Sequence, residues 1–185
     1  MENLTKVITG KCRASYANLI EAKSINGGKP KFSVSIIIPK SDKATLDKID
    51  KAVKAAYAEG EAKLKGNGKT VPPLNTLKTP LRCGSCRPDD EAYQDAFFIN
   101  ATSDTAPGIV DRDRNPILDR SEIYSGMYAR FSVNFYAYNT NGNKGIACGL
   151  NNVQKLADGT PLGGRSKAED DFSSDFDDDD LPFLS

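Results

Sequence analysis

Residues 128–138 read Tyr128-Ala-Arg-Phe-Ser-Val-Asn-Phe-Tyr-Ala-Tyr138. Because side chains of a β-strand alternate between two faces, this stretch predicts a strand with one apolar face and one polar face. The apolar face holds Ala129, Phe131, Val133, Phe135 and Ala137. The polar face holds Tyr128, Arg130, Ser132, Asn134, Tyr136 and Tyr138. Such a long alternation indicates a β-sheet protein with this strand against its core.

Shorter stretches on both sides repeat the alternation. They predict further strands at residues 6–17, 31–38, 96–102, 108–111 and 145–153. On the first of these strands, the side chains expected to face inward are Ile8, Gly10, Cys12, Ala14 and Tyr16. Residues 139–144 are rich in turn-forming residues and predict the tip of a hairpin between the last two strands.

One stretch between the predicted strands has helical periodicity. Its apolar residues recur at helical spacing at Leu46, Ile49, Val53 and Ala56. Ser41 is the predicted N-cap and Gly60 the predicted end, although the helix could continue to Leu64. Several strands with one helix favour a mainly β fold, an OB-fold-like Greek-key barrel with an inserted α-helix, although a β-sandwich would give a similar pattern.

The charges of the chain are separated along its length. The 185 residues include 25 basic and 25 acidic side chains, but residues 1–165 hold 24 bases against 17 acids and residues 166–185 carry a charge of −7. A basic body indicates an anionic partner, most often nucleic acid. Since the acids of the tail repel one another, we expect one folded domain over residues 1–165 and a disordered acidic tail over 166–185.

The polar face of the 128–138 strand has the composition of a nucleic-acid-binding surface. Its tyrosines offer planes for base stacking, Arg130 offers a positive charge, and Asn134 offers an amide. This combination binds single-stranded nucleic acid without sequence preference. Further basic residues predicted to contact DNA are Lys11, Arg13, Arg112 and Arg114. The last two have aspartate neighbours, so local ion pairs are an equal alternative for them.

The sequence predicts neither an enzyme nor a metal protein. Cys83 and Cys86 have the spacing of a metal knuckle or a redox pair, but a structural zinc site takes four ligands and the chain has no histidine. Cys12 and Cys148 fall on separate predicted strands, which favours buried or loop thiols in a reduced cytosolic protein. No catalytic constellation, cofactor motif or membrane-spanning apolar run is present. We therefore expect a cytoplasmic protein without cofactor, metal or membrane partner.

The acidic tail ends in an apolar plug. Four acids, Asp177, Asp178, Asp179 and Asp180, are followed by Leu181, Pro182 and Phe183. An anionic run can lie in a basic cleft in place of nucleic acid, and the apolar plug can dock on partner proteins once DNA displaces the tail. A tail that only keeps the protein in solution is the alternative.

Two parts of the sequence resemble known families. Residues 177–183 are similar to the acidic tip of bacterial single-stranded DNA-binding proteins, although there Phe is the last residue and here Leu184 and Ser185 follow it. The body resembles a family of single-stranded DNA-binding proteins of tailed phages, formerly a domain of unknown function. The stretches that carry this resemblance are residues 98–101, 107–111, 123–139 and 145–155.

This resemblance implies an OB-fold that binds and protects single-stranded DNA without sequence preference during phage replication or recombination. It also implies the host cytoplasm as location. The resemblance of the tip to that of the bacterial proteins implies replication proteins as partners of the tail. The alternatives from the residues are a protein–protein adaptor, with the tyrosine face as the interface of a homodimer, and an RNA-binding OB module.

Overall fold

The computed structural model describes residues 4–24 and 27–162, and these form eight strands and two α-helices. The predictions for the tail, residues 166–185, lie outside the described residues. The strands are β1 (Lys6–Ile8), β2 (Cys12–Lys23), β3 (Lys31–Pro39), β4 (Leu81–Cys83), β5 (Ala96–Ser103), β6 (Gly108–Val110), β7 (Tyr128–Thr140) and β8 (Asn143–Ala157). The helices are α1 (Lys43–Glu59) and α2 (Glu61–Lys65).

Five of the strands close into a barrel. β2 pairs with β3, β3 with β5, β5 with β8, β8 with β7, and β7 returns to β2. The β5–β8 pairing is parallel and the other four are antiparallel. This closed Greek-key barrel is OB-fold-like and has a helix inserted between β3 and β5. The predicted fold class is therefore confirmed, and the β-sandwich alternative is wrong.

The apolar face of β7 lies at the centre of the core, as its alternation predicts. Ala129, Phe131, Val133, Phe135 and Ala137 are all buried. Helix α1 packs against this core with Ile49, Ala52, Val53 and Ala56. Burial of one large apolar side chain stabilises a fold by about 1.5–3 kcal/mol, so Phe131, Phe135 and Ile49 each contribute to the stability of the barrel.

The ends of α1 follow from its capping residues. The helix begins after Asp42, whose carboxylate accepts hydrogen bonds from the Thr45 amide at 3.2 Å and the Thr45 hydroxyl at 2.7 Å. The predicted N-cap, Ser41, is therefore wrong by one residue, because the Asp42 carboxylate satisfies the free amide of the first turn. The helix ends at Gly60 as predicted, and a Cβ there would lie 2.2 Å from the Cβ of Ala137. Residues 61–65 form the separate helix α2.

The first predicted strand is two strands, β1 and β2. At the break the Thr9 hydroxyl accepts from the Phe131 amide at 3.0 Å, and the Gly10 amide donates to the Thr45 hydroxyl at 2.9 Å. The break reverses the alternation, so Ile8 is exposed although the sequence predicts it to face inward. The inward prediction is correct for Cys12 and Ala14 and wrong for Tyr16, which lies on a bulge of β2.

The β7–β8 hairpin turns where the sequence predicts it. Asn141 and Gly142 have φ angles of 52° and 88°, as the two-residue turns that suit a twisted hairpin require. The strands extend beyond their predicted ends, to Thr140 and Ala157. Within residues 4–24 and 27–162, no helix is long and apolar enough to cross a membrane.

Candidate nucleic-acid interface

A cavity of about 480 Å³ opens on the outer surface where β5, β7 and β8 meet. Residues 78–83 form its far wall: the Lys78 carbonyl accepts from the Ile146 amide at 2.8 Å, and β4 pairs with β5. These residues thus fill the gap where β5 separates from β8. The side chains at its rim that can contact a ligand are Tyr136, Tyr138, Lys78, Arg82, Asn100 and Thr102.

The two tyrosine rings lie against the sheet beside two glycines of β8, and at Gly145 the missing side chain is what makes room for the ring. Gly145 pairs with Tyr138, and a Cβ at this glycine would lie 2.8 Å from the Tyr138 hydroxyl oxygen. A Cβ at Gly149 would lie 3.5 Å from Cε1 of Tyr136. The Tyr136 side chain is 43% exposed, and partial burial raises the pKa of its phenol, which keeps the ring neutral. Both rings are thus supported from below and open to the cavity.

A second cavity of about 390 Å³ continues from the first across β3 and β2. The two cavities share Asn100 and Thr102 in their linings, and the second extends to Tyr16 and Arg87. We call the two together the groove. It crosses the strands in the order β7, β8, β5, β3 and β2.

The groove is cationic. Its basic side chains are Lys23, Lys78, Arg82 and Arg87. No acidic side chain lines either cavity, and none of these four cations has an ion pair within the described parts of the chain. The groove therefore combines neutral rings, amide groups and unpaired positive charge, which suits an anionic polymer with flat bases.

The structure places only the end of the predicted tyrosine face in the groove. Tyr128 lies at the opposite end of β7, in a separate cavity of about 350 Å³. The Lys11 ammonium lies 4.8 Å and the Arg13 guanidinium 5.6 Å from the centre of its ring. Arg13 also donates to the carbonyls of Gly126 and Thr160, at 3.2 and 2.6 Å. These three predicted residues are therefore together, but not beside Tyr136.

The other predicted contacts lie between these two ends or beyond them. Arg130 is exposed and donates to the Thr9 carbonyl at 3.0 Å, while the Asn134 amide oxygen accepts from Thr5 at 2.9 Å. Gln154, which pairs with Arg130, donates to the carbonyl of Arg112 at 3.3 Å. Arg114, in the same loop, has a positive φ of 69°. Arg130 and this loop thus lie together outside the groove.

Sequence reasoning missed much of the groove. The alternation of residues 6–17 predicts that Tyr16 faces the core, and the predicted site does not include Lys23, Lys78, Arg82, Arg87 or Asn100. Of these, Asn100 had a signal, because a polar side chain interrupts the apolar run of β5 at an outward position. The basic residues of 78–87 lie in irregular chain without periodicity, so only the fold brings them to the groove.

The four cysteines are free and fall into two classes. Cys12 and Cys148 are buried in the core, where desolvation raises the pKa of the Cys12 thiol to about 12 and that of Cys148 well above its ordinary value. Cys83 and Cys86 lie at β4 and the following turn, and hydrogen bonds from Ser85 lower the pKa of the Cys83 thiol. Within the described residues, no three His, Cys, Asp or Glu side chains form a group that could hold a metal ion.

We expect two thiols to react with Ellman's reagent in the native protein at pH 8, and four after denaturation. The Cys83 thiolate fraction is increased by its lowered pKa, whereas the buried thiols stay protonated and covered. The Cys83→Ser and Cys86→Ser variants should each lose one fast-reacting thiol. Equal reaction of all four thiols in the native state would contradict the placement of Cys12 and Cys148 in the core.

The barrel with its open, cationic groove defines this molecule as an OB-fold-like protein. The chain belongs to the family of the single-stranded DNA-binding protein of Enterobacter phage Enc34, whose model matches residues 5–182. The resemblance to phage single-stranded DNA-binding proteins is therefore confirmed. The protein for which this family is named is an ssDNA-binding protein, the class that the sequence predicts for this chain.

Individual relatives extend over most of the chain. A putative protein p50 of Acyrthosiphon pisum secondary endosymbiont phage 1 is 27% identical over 167 residues, which cover 86% of this chain and 87% of the relative. The Enc34 protein in complex with ssDNA is 21% identical with a TM-score of 0.74, covering 87% of this chain and 91% of that one. Gp2.5, a single-stranded DNA-binding protein of bacteriophage T7, is 17% identical with a TM-score of 0.61, covering 95% and 97%. The two solved structures share the fold of this chain.

Proposed function

We propose that this protein binds single-stranded DNA in the groove, without catalysis and without sequence preference. The observation that carries this proposal is the pair of supported tyrosine rings beside unpaired cations on an OB-like barrel. Bases stack on Tyr136 and Tyr138, and phosphates meet Lys78 and Arg82. Every base has a π-face, so such stacking tolerates any sequence. Membership of the Enc34 family supports the same ligand.

A longer strand leaves the groove along the outer face of β7. There it reaches Asn134 and Arg130, and then Tyr128 at the far end of the strand. In this proposal Lys11, Arg13, Arg112 and Arg114 are outer contacts. The Arg13 guanidinium already donates to two carbonyls, so we assign it a smaller role than the groove cations.

The protein then protects exposed single strands during phage DNA replication and recombination in the host cytoplasm. Replication proteins are the proposed partners of residues 177–183, since a run of acids before Leu181, Pro182 and Phe183 fits a pocket with a basic rim. The contrast between a basic body and an acidic tail is what supports this assignment.

The tail is also proposed to compete with DNA for the groove. Leu162, the last described residue, donates its amide to the Ser125 carbonyl at 2.8 Å and lines a cavity of about 460 Å³. Tyr16, Asn18 and Lys23 line both this cavity and the groove. The acidic tail therefore continues from a point beside the cationic surface, where its effective concentration is high.

Removing residues 166–185 is expected to tighten the binding of single-stranded DNA about tenfold at 20 mM salt and little at 500 mM salt. The reason is that the competing tail acts by charge, and salt screens this interaction. Fluorescence anisotropy with a labelled dT oligonucleotide and with a duplex of equal length would measure both affinities.

A full-length variant with Asp177, Asp178, Asp179 and Asp180 replaced by Asn is the matched control. Its tail keeps a charge of −3, so its affinity should lie between those of the full-length and truncated proteins. Equal affinities of all three proteins would exclude competition by the tail and leave binding in the groove intact. Preference of the full-length protein for the duplex would overturn the proposed function itself.

A further inference from the structure

We infer that Tyr16, supported by Arg87, is a second base-stacking position at the β2 end of the groove, so that one DNA strand spans the whole distance from Tyr136 to Tyr16. This inference rests on the proposed function and extends it. It assigns a role to the exposed Tyr16 ring and to the Arg87 cation, neither of which belongs to the polar face of β7.

The backbone of β2 presents the Tyr16 ring to solvent. Tyr16 is 58% exposed and has a φ of 45°, a left-handed conformation that is unfavourable for a residue with a large side chain. It lies in a bulge, because the pairing with β3 shifts between Ser15 and Asn18. The bulge reverses the alternation that buries Cys12 and Ala14, so the ring leaves the core side. Such strained positions concentrate at binding sites.

The Arg87 side chain lies against the Tyr16 ring and against two buried aromatic rings. Its guanidinium carbon lies 5.2 Å from the centre of the Tyr16 ring and 5.1 Å from those of Tyr93 and Phe98. The Tyr93 and Phe98 rings meet edge to face at 5.0 Å, and the Tyr93 hydroxyl donates to the Ser35 hydroxyl at 2.9 Å in the interior. Packing and a buried hydrogen bond therefore hold the Tyr93 and Phe98 rings in place beneath Arg87.

The charge of Arg87 is available to a ligand. Among the described residues no carboxylate forms an ion pair with it, and it lines the same cavity as Tyr16 and Lys23. A guanidinium has five N–H donors, so one that lies against aromatic rings can still donate to phosphate. One end of the groove thus offers a stacking ring, a planar cation and a second cation.

The spacing of the strands gives the length of DNA required. From β7 to β2 the groove crosses four inter-strand gaps, which is at least about 19 Å at 4.7–4.9 Å per gap, since β5 and β8 separate within the groove. A stacked single strand covers this distance with about six nucleotides at roughly 3.4 Å each, and an extended strand with fewer. This lies within the range of roughly 4–16 nucleotides that one OB-fold binds. Oligonucleotides of two or three nucleotides cannot reach both tyrosines.

The test is a length series of fluorescein-labelled dT oligonucleotides, from dT3 to dT16, measured by anisotropy at low salt. The Tyr16→Ala variant is expected to bind dT16 about five- to a hundredfold more weakly than the unchanged protein, and dT3 about equally. Tyr16→Phe keeps the ring and should bind dT16 normally. Leu118→Ala, which removes an exposed apolar side chain outside the groove, is the matched control and should also bind normally.

Two further variants separate loss of stacking from loss of structure. Tyr16→Gly removes the ring and also relieves the left-handed backbone, so it should melt about 2–4 °C above Tyr16→Ala while binding dT16 equally weakly. Arg87→Lys keeps the charge but not the plane, and should weaken dT16 binding without changing binding of dT3. Normal binding of dT16 by Tyr16→Ala, together with weak binding by Tyr136→Ala, would overturn the second stacking position and leave the proposed function standing. Normal binding of dT16 by both variants would overturn the second stacking position and the proposed function together.

Discussion

Replacing Tyr136 and Tyr138 together by alanine is expected to weaken binding of a long single strand about a hundredfold or more. Each base stacked on an aromatic ring contributes about 1–3 kcal/mol, and each 1.4 kcal/mol is a factor of ten in affinity. Both rings lie against glycines of β8 and face the same cavity, and among the described residues no other aromatic side chain lines it. Anisotropy with dT16 at fixed salt measures the loss.

Three controls define what such a loss means. Replacing both tyrosines by phenylalanine keeps the rings and should preserve the affinity. Tyr128→Ala should have a smaller effect, because Lys11 and Arg13 already contact that ring. Light scattering should give the same mass for the double alanine variant and the unchanged protein. A changed mass with normal DNA binding would instead support the adaptor, in which these tyrosines form an oligomer interface.

The fold could be predicted from the sequence because its central strand carries an unbroken period of two. The alternation in β7 is long enough to identify a core face without knowledge of any partner strand. The hairpin turn at Asn141 and Gly142 is equally local, since its residue types are those that a left-handed backbone accepts. Features that depend only on neighbouring residues in the sequence could therefore be predicted.

The candidate site could be predicted only in part because the fold divides the tyrosine face. Period two places Tyr128 and Tyr136 on one face, but they are eight residues and about 26 Å apart along the strand. Contacts from other elements decide which of them is open. The bulge at Tyr16 reverses a face through pairing with β3, and β4 has only three residues. Such non-local effects leave no periodic signal.

The same division separates two sets of cations that the sequence could not distinguish. One set lies in the groove, and the other lies along β7 and its neighbouring loops. Arg13 and Arg130 already donate to backbone carbonyls, whereas Lys78 and Arg82 line a cavity beside the tyrosines. The two sets therefore predict different responses to salt when residues of each are removed.

Salt is expected to weaken binding of a short strand that fills only the groove about 50-fold between 50 and 200 mM. Four groove cations neutralise four phosphates, and counterion release from single strands then gives a slope of log affinity against log salt of about −2.8. The measurement should use protein ending at residue 165 and a dT8 oligonucleotide, because the acidic tail adds its own salt dependence. Removing Lys78 and Arg82 together should reduce the slope by about 1.4.

The double variant Arg112→Ala with Arg114→Ala is the matched control, since it removes the same charge from the loop outside the groove. With dT8 it should leave the slope unchanged, while a longer oligonucleotide that continues along β7 should show a reduced slope. If the loop variant changed the dT8 slope and the groove variant did not, the DNA path would follow the outer face of β7 and not the groove. A pair of short and long oligonucleotides thus identifies which cations meet phosphate first.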